Sequence, residues 1–566
     1  MPNEAQPGAW APADARSAHI DAFGREALPP RELWPRLDFT GVPELRYANR
    51  VNCAAELLDR VVERGDGDRV VIRFPGGSWT YRDLLHSANR IAHVLVEDLG
   101  LVPGNRVLLR GPNNPMMAAC WFAVLKAGGV IVCTMPLLRT RELVFTADKA
   151  RITLALTDAR LAAECEEAFA RYADGRARTG ARVLRFGASD GAPNAASLEQ
   201  LMRDKSPTFE NVDTAADDLA LIAFTSGTTG EGKGTMHFHR DVLAICDCFP
   251  PYVLKATPDD IFIGSPPFAF TFGLGGILLF PMRIGATTVL LEQATPPHLI
   301  KGIQDYRATV VFTAPTAYRA MLGLLGQHDV SSLRRCVSAG EALPLATYEA
   351  WRAATGLKII DGIGATELLH IFISAGDDDI RPGSTGKVVP GYEARVVDDE
   401  MRDVPAGEIG RLAVRGPTGC RYLTNEERQR AYVADGWNLT GDSYKQDENG
   451  YFWYQARTDD MIISSGYNIS GPEVESVLLE HPAVLECGVV GVPDEERGQI
   501  VKAYVVLRPA PEGRNAGDPD IVKQLQDYVK AQIAPYKYPR AIEFLDALPR
   551  TATGKLQRYR LRDRAP

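Results

Sequence analysis

The chain predicts an α/β protein: a large, mainly parallel region, a small β-rich addition, and a smaller α+β unit toward the C-terminal end. Three observations carry this. Residues 52–291 alternate amphipathic helical stretches with short apolar strands, short strands with turn residues follow Pro382, and a compact mixed pattern follows Arg457. At 566 residues the chain exceeds what one hydrophobic core serves, which favours a large domain joined to a smaller one.

In chain order, residues 1–51 stand apart as an N-terminal extension, with Trp10, Pro29, Pro30 and Trp34 among alternating charges. Helix over 54–63, strand over 70–73, helix over 81–97, strand over 106–109, helix over 116–126 and strand over 130–133 follow as βα units. Residues 187–218, enriched in Gly, Pro, Asn and Asp, predict a long surface excursion, and a second α/β run covers 308–360. Turn signals at Gly391, 405–407 and 449–450 punctuate the β-rich part, while 473–479, 483–490, 502–507 and 521–530 build the last unit. No internal repeat is present. The expected boundaries are 1–51, 52–456 and 457–566.

Hydrophobic residues at 45%, charged residues at 24% and a formal net charge of −9 argue against nucleic acid or an anionic membrane surface as partner. Nine scattered cysteines, an odd count, predict buried thiols in a reducing compartment and a cytoplasmic protein. Cys246 and Cys248 lie too close together for a zinc pair and have no second pair nearby. No signal peptide is expected in the first forty residues, and the apolar stretches 116–133 and 268–291 are interrupted by Lys126 and by Pro281 and Arg283, so neither is a membrane span.

The run TSGTTGEGKG at 225–234 carries the chemistry. Gly227, Gly232 and Lys233 match the opening of a Walker loop, but that loop needs a Ser or Thr directly after the lysine to hold magnesium, and Gly234 stands there. The other possibility is a Ser/Thr/Gly-rich loop whose small hydroxyls and bare backbone N–H groups hold a triphosphate without crowding it. Five further motifs follow: SAGEALP at 338–344, DGIGATE at 361–367, GWNLTGD at 436–442, QARTDDMI at 455–462 and LPRTATGKLQR at 548–558. In this order, and from about residue 52 to 558, the chain resembles the adenylate-forming (AMP-binding) superfamily, which includes acyl-CoA synthetases and luciferases.

The resemblance implies a large domain of two doubly wound sheets plus a β-rich subdomain, and a mobile C-terminal domain turning near Asp459. It implies that Thr225, Ser226, Gly227, Thr228, Thr229, Gly230 and Lys233 hold the phosphates, and that Ala339, Gly340 and Glu341 approach base and acyl group. Asp361, Gly362 and Ile363 would flank adenine, Ile363 replacing the aromatic residue many members carry. Thr366 would lie near the phosphates, Glu367 and Thr229 at Mg2+, and Asp442 and Arg457 at the ribose, where a carboxylate suits a vicinal diol. Lys555 would bridge the attacking carboxylate and the α-phosphate, giving the transition state a cation that the ground state lacks. Each has a plainer alternative: a helix-start acid for Glu367, turn aspartates for Asp442 and Asp459, a solvated arginine for Arg457, and a tail charge for Lys555.

FAFTFGLGG at 268–276, ELLHIF at 367–372 and the early segment ELRYANRVNCAAELLDR are similar to benzoate- and 2-aminobenzoate-CoA ligases. That similarity places His237, Phe270, Thr271, Phe272, Ala339, Gly364, His370 and Ile371 around an aromatic-walled slot for a flat or cyclic acid; His370 serves equally as a satisfied core histidine. The expected activity is an AMP-forming acyl-CoA synthetase using ATP, Mg2+ and coenzyme A, in which the domain turns after adenylate formation and presents Ser464, Ser465, Gly466 and Tyr467 to the thiol. One departure bears on this. Members carry a basic or neutral residue and then proline ahead of the loop lysine, where this chain has Glu231 and Gly232. A carboxylate 4 Å from a phosphate charge repels it by about 1 kcal/mol in water and roughly 4 kcal/mol at an effective dielectric of 20. Either Glu231 faces solvent at little cost, or adenylation is slowed and the protein depends on a partner enzyme for its adenylate. Transfer to a carrier protein is the other alternative acceptor route, and a homo-oligomer stays open. From other classes, Gly234 counts against a Walker-type phosphohydrolase, and the presence of Lys555 and Glu367 counts against a non-catalytic nucleotide-binding module.

Overall fold

The computed structural model describes residues 16–175, 181–187, 197–225, 232–457, 460–464, 467–494, 497–509, 519–533, 535–551 and 556–564. Two sheets organise the large domain. The six-stranded sheet runs, edge to edge, Arg182–Phe186, Leu154–Asp158, Arg106–Arg110, Val130–Thr134, Leu219–Thr225 and Lys233–Phe238, parallel except for the last strand. Its central strand is buried along its whole length, and the two faces divide as the strand period requires: Val107 and Leu109 enter one core and Leu108 another. Helices Tyr81–His93 and Pro115–Lys126 cover the first face, Thr140–Lys149 and Ala162–Gly175 the second, as a doubly wound sheet demands.

A nine-stranded sheet has a parallel centre of Ile359–Gly364, Arg335–Ala339, Val310–Thr313, Ile261–Gly264, Thr287–Val289 and Val70–Phe74, with antiparallel strands at both edges. Phe262 and Phe312 face the core shared with the first sheet, while Ile263 and Val311 face helices Pro296–Tyr306, Pro315–Leu322 and Leu345–Thr355. The β-rich subdomain is an antiparallel sheet of Glu393–Val397, Ile409–Arg415, Val433–Ala434, Trp437–Gln446 and Phe452–Arg457. The last unit packs helices Gly471–Glu480 and Pro519–Gln532 on strands Val484–Asp494, Gly498–Leu507 and Ala541–Phe544.

Two segments differ from expectation in texture. Within 187–218 a capped helix, Leu198–Met202, buries Leu198 and Met202, because these two sit four apart and meet the core. Residues 16–51 run as a strap over the large domain. Phe23 and Leu45 are buried, the Ala18 N–H donates to Asp218 Oδ2 at 2.9 Å, and the Arg36 and Asp38 N–H groups donate to the carbonyls of Gly436 and Gly416. All nine cysteines are free thiols, eight buried and Cys133 half-buried. Among the described residues no helix is long and apolar enough to cross a membrane.

Candidate active site

Of the expected site residues, Thr225, Ala339 and Gly364 each end a strand with a parallel neighbour, the usual place for ligands in α/β sheets. Thr225 closes Leu219–Thr225 and Lys233 opens Lys233–Phe238; the two are register partners on antiparallel strands. The loop therefore joins strand to strand. A Walker loop joins strand to helix, whereas here the described residues resume at 232 and lead straight into strand Lys233–Phe238. Ser226, Gly227, Thr228, Thr229, Gly230 and Glu231 lie outside the described residues.

The second wall is the reversal that follows Ile359–Gly364. The single turn Thr366–Leu368 and a left-handed Leu369 (φ 71°) send the chain back antiparallel as Ile371–Ser374. Leu369 is fully buried, and packing holds it in a conformation that L residues avoid. Thr366 and Glu367 thus fall on one side of the turn and His370 on the other. Glu367 Oε1 accepts from the Tyr422 hydroxyl at 2.6 Å. No motif marked Tyr422, whose partner lies 55 residues away. His237, expected in the pocket wall, is fully buried, and its Nε2 meets the Thr366 carbonyl at 2.8 Å, so it supports the turn.

Asp442 and Arg457 are register partners across Trp437–Gln446 and Phe452–Arg457. Arg457 Nη1 donates to Asp442 Oδ1 at 3.1 Å and to the Thr440 carbonyl at 3.2 Å. Burial raises the Asp442 carboxyl above its ordinary range, against the pull of Arg457. Gly441 between them has φ 75°, and a Cβ there would lie 2.9 Å from Arg457 Nη2.

Ala339 ends Arg335–Ala339, and Gly340 follows at φ 92°, turning the backbone toward the site. Glu341 lies 3.8 Å from Arg550 of the last unit. Asp361, sunk at the start of the DGIGATE run, has its carboxyl pushed up to about 7 by burial. Gly362 packs its backbone against Ile371, Ile363 is half-buried, and Gly364 is exposed.

Phe270, Thr271 and Phe272 are half-buried, and the Phe272 ring lies 5.8 Å from the His370 ring. His370 is boxed by Phe249 at 5.8 Å and Phe280 at 4.5 Å, with Gly275 leaving the room it needs. Burial pulls His370 down to about 3, against a backbone interaction with Phe272, so it is a neutral imidazole in an aromatic box. Ser464 is buried on Ile462–Ser464, which pairs with Tyr467–Ile469. Asp459, Ser465, Gly466 and Lys555 lie outside the described residues. Arg550 and Leu556, which flank the last of these, are bridged to each other.

Comparison with known proteins shows the family. The AMP-binding enzyme family matches residues 58–422, and the AMP-binding enzyme C-terminal domain matches 473–555. The chain belongs to the AMP-binding enzyme family. Within that family it is 36% identical over 529 residues to the benzoate–CoA ligase of Thauera aromatica, covering 92% of this chain and 97% of that one. The anthranilate CoA ligase AuaEII, solved with anthranoyl-AMP, superposes with a TM-score of 0.85 at 36% identity, covering 92% and 98% of the two chains. A benzoate CoA ligase from Burkholderia xenovorans LB400 gives 0.80 at 33% identity, covering 90% and 100%.

Proposed function

We propose that this AMP-binding enzyme is an acid–thiol ligase which activates an aromatic or bulky cyclic carboxylic acid as its acyl-adenylate and transfers the acyl group to coenzyme A. The observation that carries the proposal is the turn from Gly364 to Ile371. One element offers Thr366 and Glu367 to the phosphates and, through His370 and Phe272, an aromatic wall to the acid, so that an acid in the slot has its carboxylate beside the α-phosphate.

Asp442 accepts from the ribose hydroxyls, held in place by Arg457. His237 fixes the Thr366 carbonyl so that the turn stays open at Gly364. Glu367 suits Mg2+: one carboxylate, one of whose oxygens already accepts from Tyr422, is what an ion carried mainly by phosphate oxygens and water requires. That ion supplies charge neutralisation at the departing pyrophosphate. Lys555 provides the cation at the reacting carboxylate. The last unit, from residue 457, then turns near Asp459 and brings Ser464, Ser465, Gly466 and Tyr467 to the thiol, whose sulfur displaces AMP from the acyl carbon.

The experiment is product analysis of two reactions: benzoate or 2-aminobenzoate with ATP, Mg2+ and CoA, and the pre-formed acyl-adenylate with CoA alone. Thioester and AMP from the first are expected; ADP, or no thioester from either, overturns the proposal. Glu231 and Gly232 favour a second outcome, thioester from the adenylate only, with adenylation supplied by another enzyme. Glu231→Lys with Gly232→Pro then restores adenylation, provided Phe145, 3.2 Å from where a Cβ at position 232 would sit, yields slightly. An unchanged rate sinks that second reading.

A further inference from the structure

Arg550 sits between two carboxylates that belong to different parts of the molecule. Its Nη2 donates to Glu486 Oε2 of Val484–Asp494 at 3.0 Å, and its Nη1 lies 3.8 Å from Glu341, the residue after Gly340 at the nucleotide site. All three side chains are half-buried, with exposures of 29%, 38% and 20% for Arg550, Glu486 and Glu341, so water screens them less than it would a surface pair. Arg550 is also bridged to Leu556, and the Gln557 N–H donates to the Pro549 carbonyl at 2.9 Å. The ends of the segment that carries Lys555 are therefore tied to each other and, through Arg550, to Glu341.

The surroundings keep this contact marginal. Arg319 of Pro315–Leu322 faces Arg508, Arg550 and Glu486, and burial together with Arg508 holds its guanidinium below the ordinary range. Among the described residues Arg319, Arg508 and Arg550 share this boundary with Glu486 and Glu341, so a bond to Glu341 meets repulsion nearby and can be released. A contact made strong and unopposed would hold the two domains in one arrangement.

We infer that Arg550 is a positioning residue for the first half-reaction alone: it docks the Lys555-bearing segment on Glu341 while the acyl-adenylate forms, and lets go when the small domain turns to admit the thiol. The inference rests on the ligase reading above. It assigns to Arg550 a share in adenylation and none in thioester formation, a split that a residue acting only in the packing of the small domain does not produce.

The test measures acid-dependent ATP–pyrophosphate exchange, thioester formation from supplied acyl-adenylate and CoA, and amide hydrogen exchange, in the wild type, Arg550→Ala and Arg550→Lys. Arg550→Ala is expected to slow pyrophosphate exchange about fivefold to tenfold, the scale of one partly screened ion pair, and to leave thioester formation within about twofold. Arg550→Lys recovers part of the loss. Amides of 338–345 exchange faster in Arg550→Ala, because the large-domain end of the contact is gone. Equal loss in both half-reactions, no loss in either, or faster hydrogen exchange confined to 484–494 overturns the inference. Absence of pyrophosphate exchange in the wild type with every acid tried counts against the ligase reading instead, and the protection of 338–345 still decides the role of Arg550.

Discussion

In the proposed reading Asp442 is a carboxylate set for a diol. Its register partner Arg457 holds one oxygen at 3.1 Å, and burial strips away the water that would compete for the other. Asp442→Asn is expected to weaken AMP binding about tenfold to a hundredfold in calorimetry, since hydrogen bonds to a charged acceptor are worth roughly 1.5–3 kcal/mol; an unchanged affinity would remove Asp442 from the ribose site. Asp361 gives a pH signature. Its carboxyl titrates near 7 in the fold and near the ordinary aspartate value when unfolded, so the folded state holds the extra proton between those limits. Stability from this group is full below the unfolded value and is lost as pH rises toward 7, by on the order of 1 kcal/mol per pH unit. Asp361→Asn should flatten the denaturation midpoint between pH 5 and 8, and a slope as steep as that of the wild type would contradict the assignment. At this scale the motifs marked the residues proposed to touch ligand. They did not show Tyr422 or His237's grip on Thr366, because such contacts depend on which distant strands become neighbours.

Among the elements, the strand–loop–strand setting of 225–233 and the left-handed turn at Leu369 do most to shape the site. The alternation of helix and strand through 54–134 was legible from apolar period alone, and every element expected there is present. A turn such as 364–371 is harder to read, since a buried leucine at φ 71° breaks the residue preferences by which turns are recognised. The hairpin of Trp437–Gln446 and Phe452–Arg457 supplies a test. Gly441→Ala meets both a positive φ and the Arg457 guanidinium 2.9 Å away, so a loss of about 1–2 kcal/mol in urea unfolding is expected, together with weaker AMP binding. Loss of stability with nucleotide affinity unchanged would show that Arg457 does not need this backbone to reach the ribose.

Across the whole molecule, buried charges join what the layers leave apart. Arg421 and Asp241, both without solvent exposure, form an ion pair between the β-rich subdomain's entry and helix His239–Phe249. Arg421→Met strands the aspartate and is expected to cost about 3–5 kcal/mol of unfolding free energy, while Arg421→Met with Asp241→Leu recovers most of it. A double variant no better than the single one would show that the pair is not the source of the loss. The two-sheet architecture was legible because helices and strands alternate. The strap over 16–51 was not, because contacts with partners far along the chain help order it: Gln429 donates to the Leu33 carbonyl across 396 residues. That separation sets a clock on biosynthesis. At about 5–20 residues per second the ribosome takes roughly 20–80 s to deliver Gln429 after Leu33, so the Leu33 stretch of the strap waits that long for this partner.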